Sequence, residues 1–123
     1  MNLSEYFENT QGNGVLATAD REGNVDAALY GRPHIIDEHT VAFIMNEHIS
    51  YKNLSSNPKA AYLFLEEGPG YKGSRLYLTK IKEDADAELI ESMRRIKGKY
   101  PESNTKKYLV YFRIDKIRPL VEK

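Results

Sequence analysis

The sequence predicts a mainly β fold: a six-stranded antiparallel sheet closed into a small barrel, with one long and two short helices. Three observations predict it. Short apolar runs recur between Gly-, Asn- and Asp-rich turn signals, several runs are apolar on both strand parities, and a single segment carries a strong helical stripe. A half-buried strand is apolar on one parity only. Here Tyr62 and Phe64 alternate with Ala61, Leu63 and Leu65, and Val41 and Phe43 with Ala42 and Ile44. Tyr108, Val110 and Phe112 likewise alternate with Leu109 and Tyr111. One substantial helix cannot cover both faces of such a sheet. The economical arrangement turns one face inward and sets the other against a second subunit, as a homodimer. The alternative is a monomer whose outer face is covered by the helices.

Each element has its own signal. Residues 2–10 predict a short helix with Leu3, Tyr6 and Phe7 on one face and Ser4 near its start, broken by Gly12-Asn13-Gly14. VLATAD (15–20) predicts a strand, REGN (21–24) a tight turn, and VDAALYGRPHII (25–36) one long second strand. DEH (37–39) turns the chain into TVAFIM (40–45), the third strand. A polar connection follows, predicting a short helix over 51–57 that stops at Asn57-Pro58. KAAYLFLEE (59–67) is the fourth strand, GPGYKG (68–73) a turn, and SRLYLTKIKE (74–83) the fifth strand. KKYLVYFRIDKI (106–117) is the last strand, ended by Pro119. Between these last two, residues 84–97 predict the long helix, with Ala85, Leu89, Met93 and Ile96 as its apolar stripe. Asp84, Asp86 and Glu88 crowd its first turn and Arg94, Arg95 and Lys97 its last, matching the helix dipole. The basic run RRIKGK is thus a solvated helix end; the competing reading is a nucleic-acid patch.

Composition bounds the function. At 123 residues the chain is expected to form one domain, 1–123. Lys plus Arg and Asp plus Glu both number 18, so the basic excess of a duplex-binding protein is missing and no nucleic-acid partner is expected. The absence of cysteine excludes disulfides, thiolate catalysis and Cys-ligated metal. MNLSEYFENTQGNG has neither the basic nor the apolar region of a signal peptide, and no apolar run reaches the ~20 residues of a membrane helix. A cytoplasmic protein with no membrane partner is the expectation. His34, His39 and His48 lack i, i+4 metal spacing, so no metal site is expected, and no Ser-His-Asp arrangement supports hydrolysis.

The polar connection is the natural place for a site. With a helix over 51–57, Ser50 falls at the N-cap, just after Asn46 and His48. A capping hydroxyl with the free N–H groups of a first turn makes an anion site, above all for phosphate. The plain alternative is that Ser50 only caps the helix.

The run from ATADREGNVDAALYGRPHIID through TVAFIM to SYKNLSSNPKAAYLFLEE resembles the pyridoxamine 5'-phosphate oxidase-like split-barrel family of flavin-binding proteins. GYKGSRLYLTKI, the helix and the final strand follow in family order, so the resemblance covers roughly residues 12–118. It implies a split β-barrel with FMN in a groove at a dimer interface. Ala28, Leu29, Tyr30 and Gly31 match the second-strand positions that line the flavin, and Phe43, Ile44 and Met45 those beside the ring. His48, Ile49 and Ser50 match the helix start that meets the phosphate, and Arg75 a partner-strand residue reaching the cofactor. The vitamin-making oxidases carry Arg where Ala28 stands and an Arg-Lys pair where Ile49-Ser50 stands, and their basic substrate-binding C-terminus is not recognisable in RIDKIRPLVEK. The resemblance therefore implies a relative without the oxidase's substrate chemistry, with Arg32, Lys52 and Arg75 as the remaining cations for the phosphate.

A flavin ring needs apolar walls and a few backbone donors. Gly31 lets the backbone approach its edge or else marks a strand bulge; Tyr30 stacks or hydrogen-bonds, or else belongs to the core or interface. The function implied is an FMN-dependent oxidoreductase, with the chemistry done by the ring. The alternatives are a non-catalytic module for a flavin-type cofactor or for haem, which some members of the superfamily bind, and a small-barrel nucleic-acid binder.

Overall fold

A computed structural model describes residues 2–94 and 106–122. Seven strands form one antiparallel sheet in the order β2-β1-β5-β6-β7-β4-β3. The strands are β1 (Gly12–Ala19), β2 (Val25–Tyr30), β3 (His34–Asp37), β4 (Thr40–Asn46), β5 (Lys59–Glu66), β6 (Gly73–Asp84) and β7 (Lys107–Pro119). Three short helices accompany them: α1 (Leu3–Asn9), α2 (Ile49–Ser56) and α3 (Ala87–Met93).

The expected six-stranded closed barrel is corrected on both counts. The long second strand breaks at Gly31-Arg32-Pro33 into β2 and β3, which lie at opposite edges of the sheet order. Pro33 has no N–H to give to a ladder and holds Arg32 extended. Arg32 itself turns away, its guanidinium donating to the main-chain oxygens of Phe7 (2.6 Å) and Thr10 (3.3 Å) at the end of α1. The two edges are therefore tied by three residues yet share no hydrogen-bond ladder. The sheet curls round its core without closing.

Leu16, Phe43, Met45, Tyr62, Phe64, Leu76, Leu78, Val110 and Phe112 fill the inside, joined by Leu3 and Phe7 from α1 and Leu54 from α2. On the outer face α3 covers one half, where Ile90 packs with Ala42 and Leu109. The other half is bare. Register aligns Leu29, Val15 and Leu63 in one row across β2, β1 and β5, and Ala27, Ala17 and Ala61 in the next. Leu29 is 80% exposed, Val25 82% and Leu63 40%.

The long helix expected over 84–97 is also corrected. β6 runs on to Asp84 because β7 is long enough to pair with it, Asp84 lying opposite Leu109. The helix cap is Asp86, whose carboxylate accepts from the N–H groups of Glu88 and Leu89, and the helix ends at Met93. Ala85 precedes it; Arg95, Ile96 and Lys97 lie outside the described residues. Among the described residues no helix is long and apolar enough to cross a membrane.

Candidate functional site

The break between β2 and β3 leaves an opening. β3 pairs with β4 only as far as His34 opposite Ala42, so β4 from Phe43 to Asn46 has β7 on one side and no ladder on the other. β2 is likewise an edge strand. Between them, closed at one end by the start of α2, lies a groove of about 470 Å³. Ala28, Leu29, Tyr30 and Gly31 come to it from β2 and the break, Ile44 and Asn46 from β4, and His48, Ile49 and Ser50 from the entry to α2.

Eight of the residues expected at a cofactor site thus converge on one groove: Ala28, Leu29, Tyr30, Gly31, Ile44, His48, Ile49 and Ser50. Phe43 and Met45 do not line it. Their parity is opposite to that of Ile44, and they are buried in the core at 2% and 0% exposure. Arg32 is spent on the end of α1. Arg75 lies on β6, with its guanidinium on the Pro119 carbonyl (3.0 Å) and the Glu122 carboxylate (3.0 Å), and does not line the groove. Lys52 is exposed on α2 and does not line the groove.

Ser50 is not the helix cap. His48, in extended conformation, holds that position without a side-chain capping bond, and the first intrahelical bond runs from Lys52 N–H to the His48 carbonyl at 3.0 Å. Ser50 sits two residues inside that cap, 4% exposed, and its hydroxyl donates to the Asp26 carboxylate at 3.2 Å. Asp26 is the residue that sequence reasoning missed. It shares the inward parity of β2 with Ala28 and Tyr30, which is the signal that could have found it. Burial raises the Tyr30 hydroxyl's pKa; a hydrogen bond with Ser50 opposes the shift and the nearby Asp26 charge adds to it. Tyr30 packs edge-on against Phe43, with centroids 5.8 Å apart. Deeper in, Asn53 on α2 donates to the Thr18 hydroxyl at 3.1 Å and fixes the helix against β1.

The groove suits a flat apolar body with a polar edge. Ala28, Leu29, Ile44 and Ile49 are walls for the faces of such a body, and its volume falls in the range of small-ligand sites. The side-chain oxygen of Asn46 is buried with no hydrogen-bond partner, so it wants a donor. The fit to a phosphate is poorer, because the α2 end holds a carboxylate and, among the described residues, no Lys or Arg lines the groove.

Comparisons with known proteins give the architecture a place. No protein-family model matches the chain, and no curated protein matches it in sequence. Solved structures do. An FMN-binding protein from Syntrophomonas wolfei subsp. wolfei superposes with a TM-score of 0.78 at 19% identity, covering 98% of this chain and 85% of its own. The chain has the split-barrel fold. A candidate pyridoxamine 5'-phosphate oxidase from Lactobacillus delbrueckii matches with a TM-score of 0.69 at 18% identity, over 94% of this chain and 89% of its own. An F420 reductase matches with a TM-score of 0.68 at 18% identity, over 93% and 94%.

Proposed function

We propose that the chain binds a flavin, with FMN the first form to test, in the groove between β2, β4 and the start of α2, and that it works as a flavin-dependent oxidoreductase. The observation that carries the reading is the apolar slot of Ala28, Leu29, Ile44 and Ile49, in a fold that an FMN-binding protein shares. When bound, the flavin supplies the hydride or electron chemistry. The chain's part is to sandwich the ring between apolar side chains, to offer edge-strand backbone and the Asn46 oxygen to its polar rim, and to shield it from water.

The groove is open on the side of the bare outer face, where Leu29 and Ile49 are exposed. In this reading a second copy of the chain covers that face as a homodimer, and Arg75 of the copy is the residue placed to reach the cofactor. Support comes from the uninterrupted apolar row Leu29–Val15–Leu63, which ends beside Arg75 on β6. A non-catalytic haem-binding module is the second reading, favoured by His48 on the groove wall, whose imidazole is of the kind that ligates haem iron.

Spectra after reconstitution test the reading. Protein incubated with FMN and freed of excess ligand should retain a flavin absorbance band with a shifted shape. Retention of a haem Soret band with no flavin uptake would favour the second reading, and retention of neither would refute both.

A further inference from the structure

On the reading that the groove holds a flavin, we infer that Asp26 makes its α2 end a site for the ribityl hydroxyls and not for a phosphate, so that the chain holds riboflavin as tightly as FMN. Three observations lead there. A helix N-terminus attracts an anion through its unpaired N–H groups, but at α2 an anion is already in place: the Asp26 carboxylate, reached through the Ser50 hydroxyl at 3.2 Å. No Lys or Arg among the described residues lines the groove, and Arg75, the cation a second copy would bring, is already engaged with the Pro119 carbonyl and the Glu122 carboxylate. Arg32, next to Gly31 in sequence, is engaged with the end of α1 instead.

Two acceptors at this end are short of donors. The Asp26 carboxylate has a single hydrogen-bond donor, Ser50, among the described side chains, and the Asn46 oxygen has none. Ribityl hydroxyls donate; a phosphate dianion does not. A phosphate brought to the same place would face a carboxylate across a partly dry gap, where like charges repel more strongly than in water. Asp26 is thus a specificity residue, acting directly on the ligand's charged tail.

The test is a titration of riboflavin and FMN into the full chain and its Asp26→Asn variant, at low and at high salt, followed by flavin fluorescence. Wild-type dissociation constants for the two ligands should agree within about threefold, and FMN binding should tighten as salt rises while riboflavin binding stays level. Asp26→Asn, which keeps an acceptor for Ser50 but removes the charge, should shift the ratio of the two affinities about tenfold in favour of FMN, the effect of roughly 1.4 kcal/mol. FMN bound more than tenfold tighter than riboflavin by wild type, or weakened by salt, would overturn the inference while leaving the groove as the flavin site. These wild-type measurements decide the matter even if the variant does not fold. Failure of both ligands to bind would overturn the inference together with the reading it rests on.

Discussion

Tyr62 holds the end of β2 at the break in the sheet: from β5 its hydroxyl donates to the main-chain oxygens of Tyr30 (3.2 Å) and Gly31 (3.0 Å). The ring reaches them by passing over Gly14 on β1, where any Cβ would lie 1.9 Å from the Tyr62 oxygen. One buried aromatic thereby sets the end of β2 and, through it, one lip of the groove.

Tyr62→Phe should cost about 1 kcal/mol, the net value of a hydrogen bond, because the ring stays and only the two acceptors lose their donor. Gly14→Ala should cost more, about 1–3 kcal/mol, since the ring has to move in a filled core. Urea unfolding of both variants checks the order; equal losses would mean that the hydroxyl, not the ring's position, dominates.

Gly31 separates site from fold. A Cβ there meets nothing within 4 Å, and the residue is not among the glycines with positive φ. Gly31→Leu should therefore leave the urea midpoint nearly unchanged while crowding the groove and weakening flavin binding about tenfold or more. A large loss of stability with unaltered binding would place Gly31 in the fold alone.

The bare outer face predicts a dimer that a single charge should dissociate. Val15 lies in the row between Leu29 and Leu63, and Val15→Glu would bury an unpaired carboxylate in the proposed interface. Sedimentation should show wild type as a dimer across micromolar dilution and the variant as a folded monomer. A wild-type monomer at every concentration would remove the homodimer from the account.

The first hairpin should report on acid. Asp20 accepts from the Asn24 side chain (2.9 Å) and from the N–H groups of Asn24 (2.9 Å) and Glu22 (2.9 Å), and these bonds lower its carboxyl pKa, the Asn24 side chain most. Because the folded value lies below the unfolded one, the stabilisation is complete above the ordinary aspartate value of about 4 and fades as pH falls through the lowered one. Asp20→Asn should be less stable than wild type at neutral pH, and the gap should close on acidification. A gap that stays constant with pH would show that the carboxylate's charge has no part in it.

The strands were largely legible because parity reports burial directly: Tyr62, Phe64, Val110 and Phe112 carry the pattern and occupy the core. Gly31-Arg32-Pro33 was read as part of one long strand: Pro33 carries the local signal of a break, but the bond that turns Arg32 away reaches the end of α1, far off in sequence. The helix after β6 was overextended for a similar reason. Acidic residues from Asp84 onward look like a first turn, yet pairing with β7 holds Asp84 in the sheet and hands the cap to Asp86. At the site, residues near one another in sequence were found and their long-range partner was not: the Ser50 hydroxyl belongs to Asp26, 24 residues away, rather than to its own helix end. Phe43 and Met45 were matched to the ring together with Ile44 by the family resemblance, whereas alternation along β4 sends them to the opposite face.

The most direct test of the central claim is a crystal structure of the chain soaked with riboflavin or FMN. The isoalloxazine ring should lie against Ala28, Leu29, Ile44 and Ile49, with a donor from the ligand on the Asn46 oxygen. A flavin bound elsewhere on the molecule, with this groove filled only by water, would contradict it.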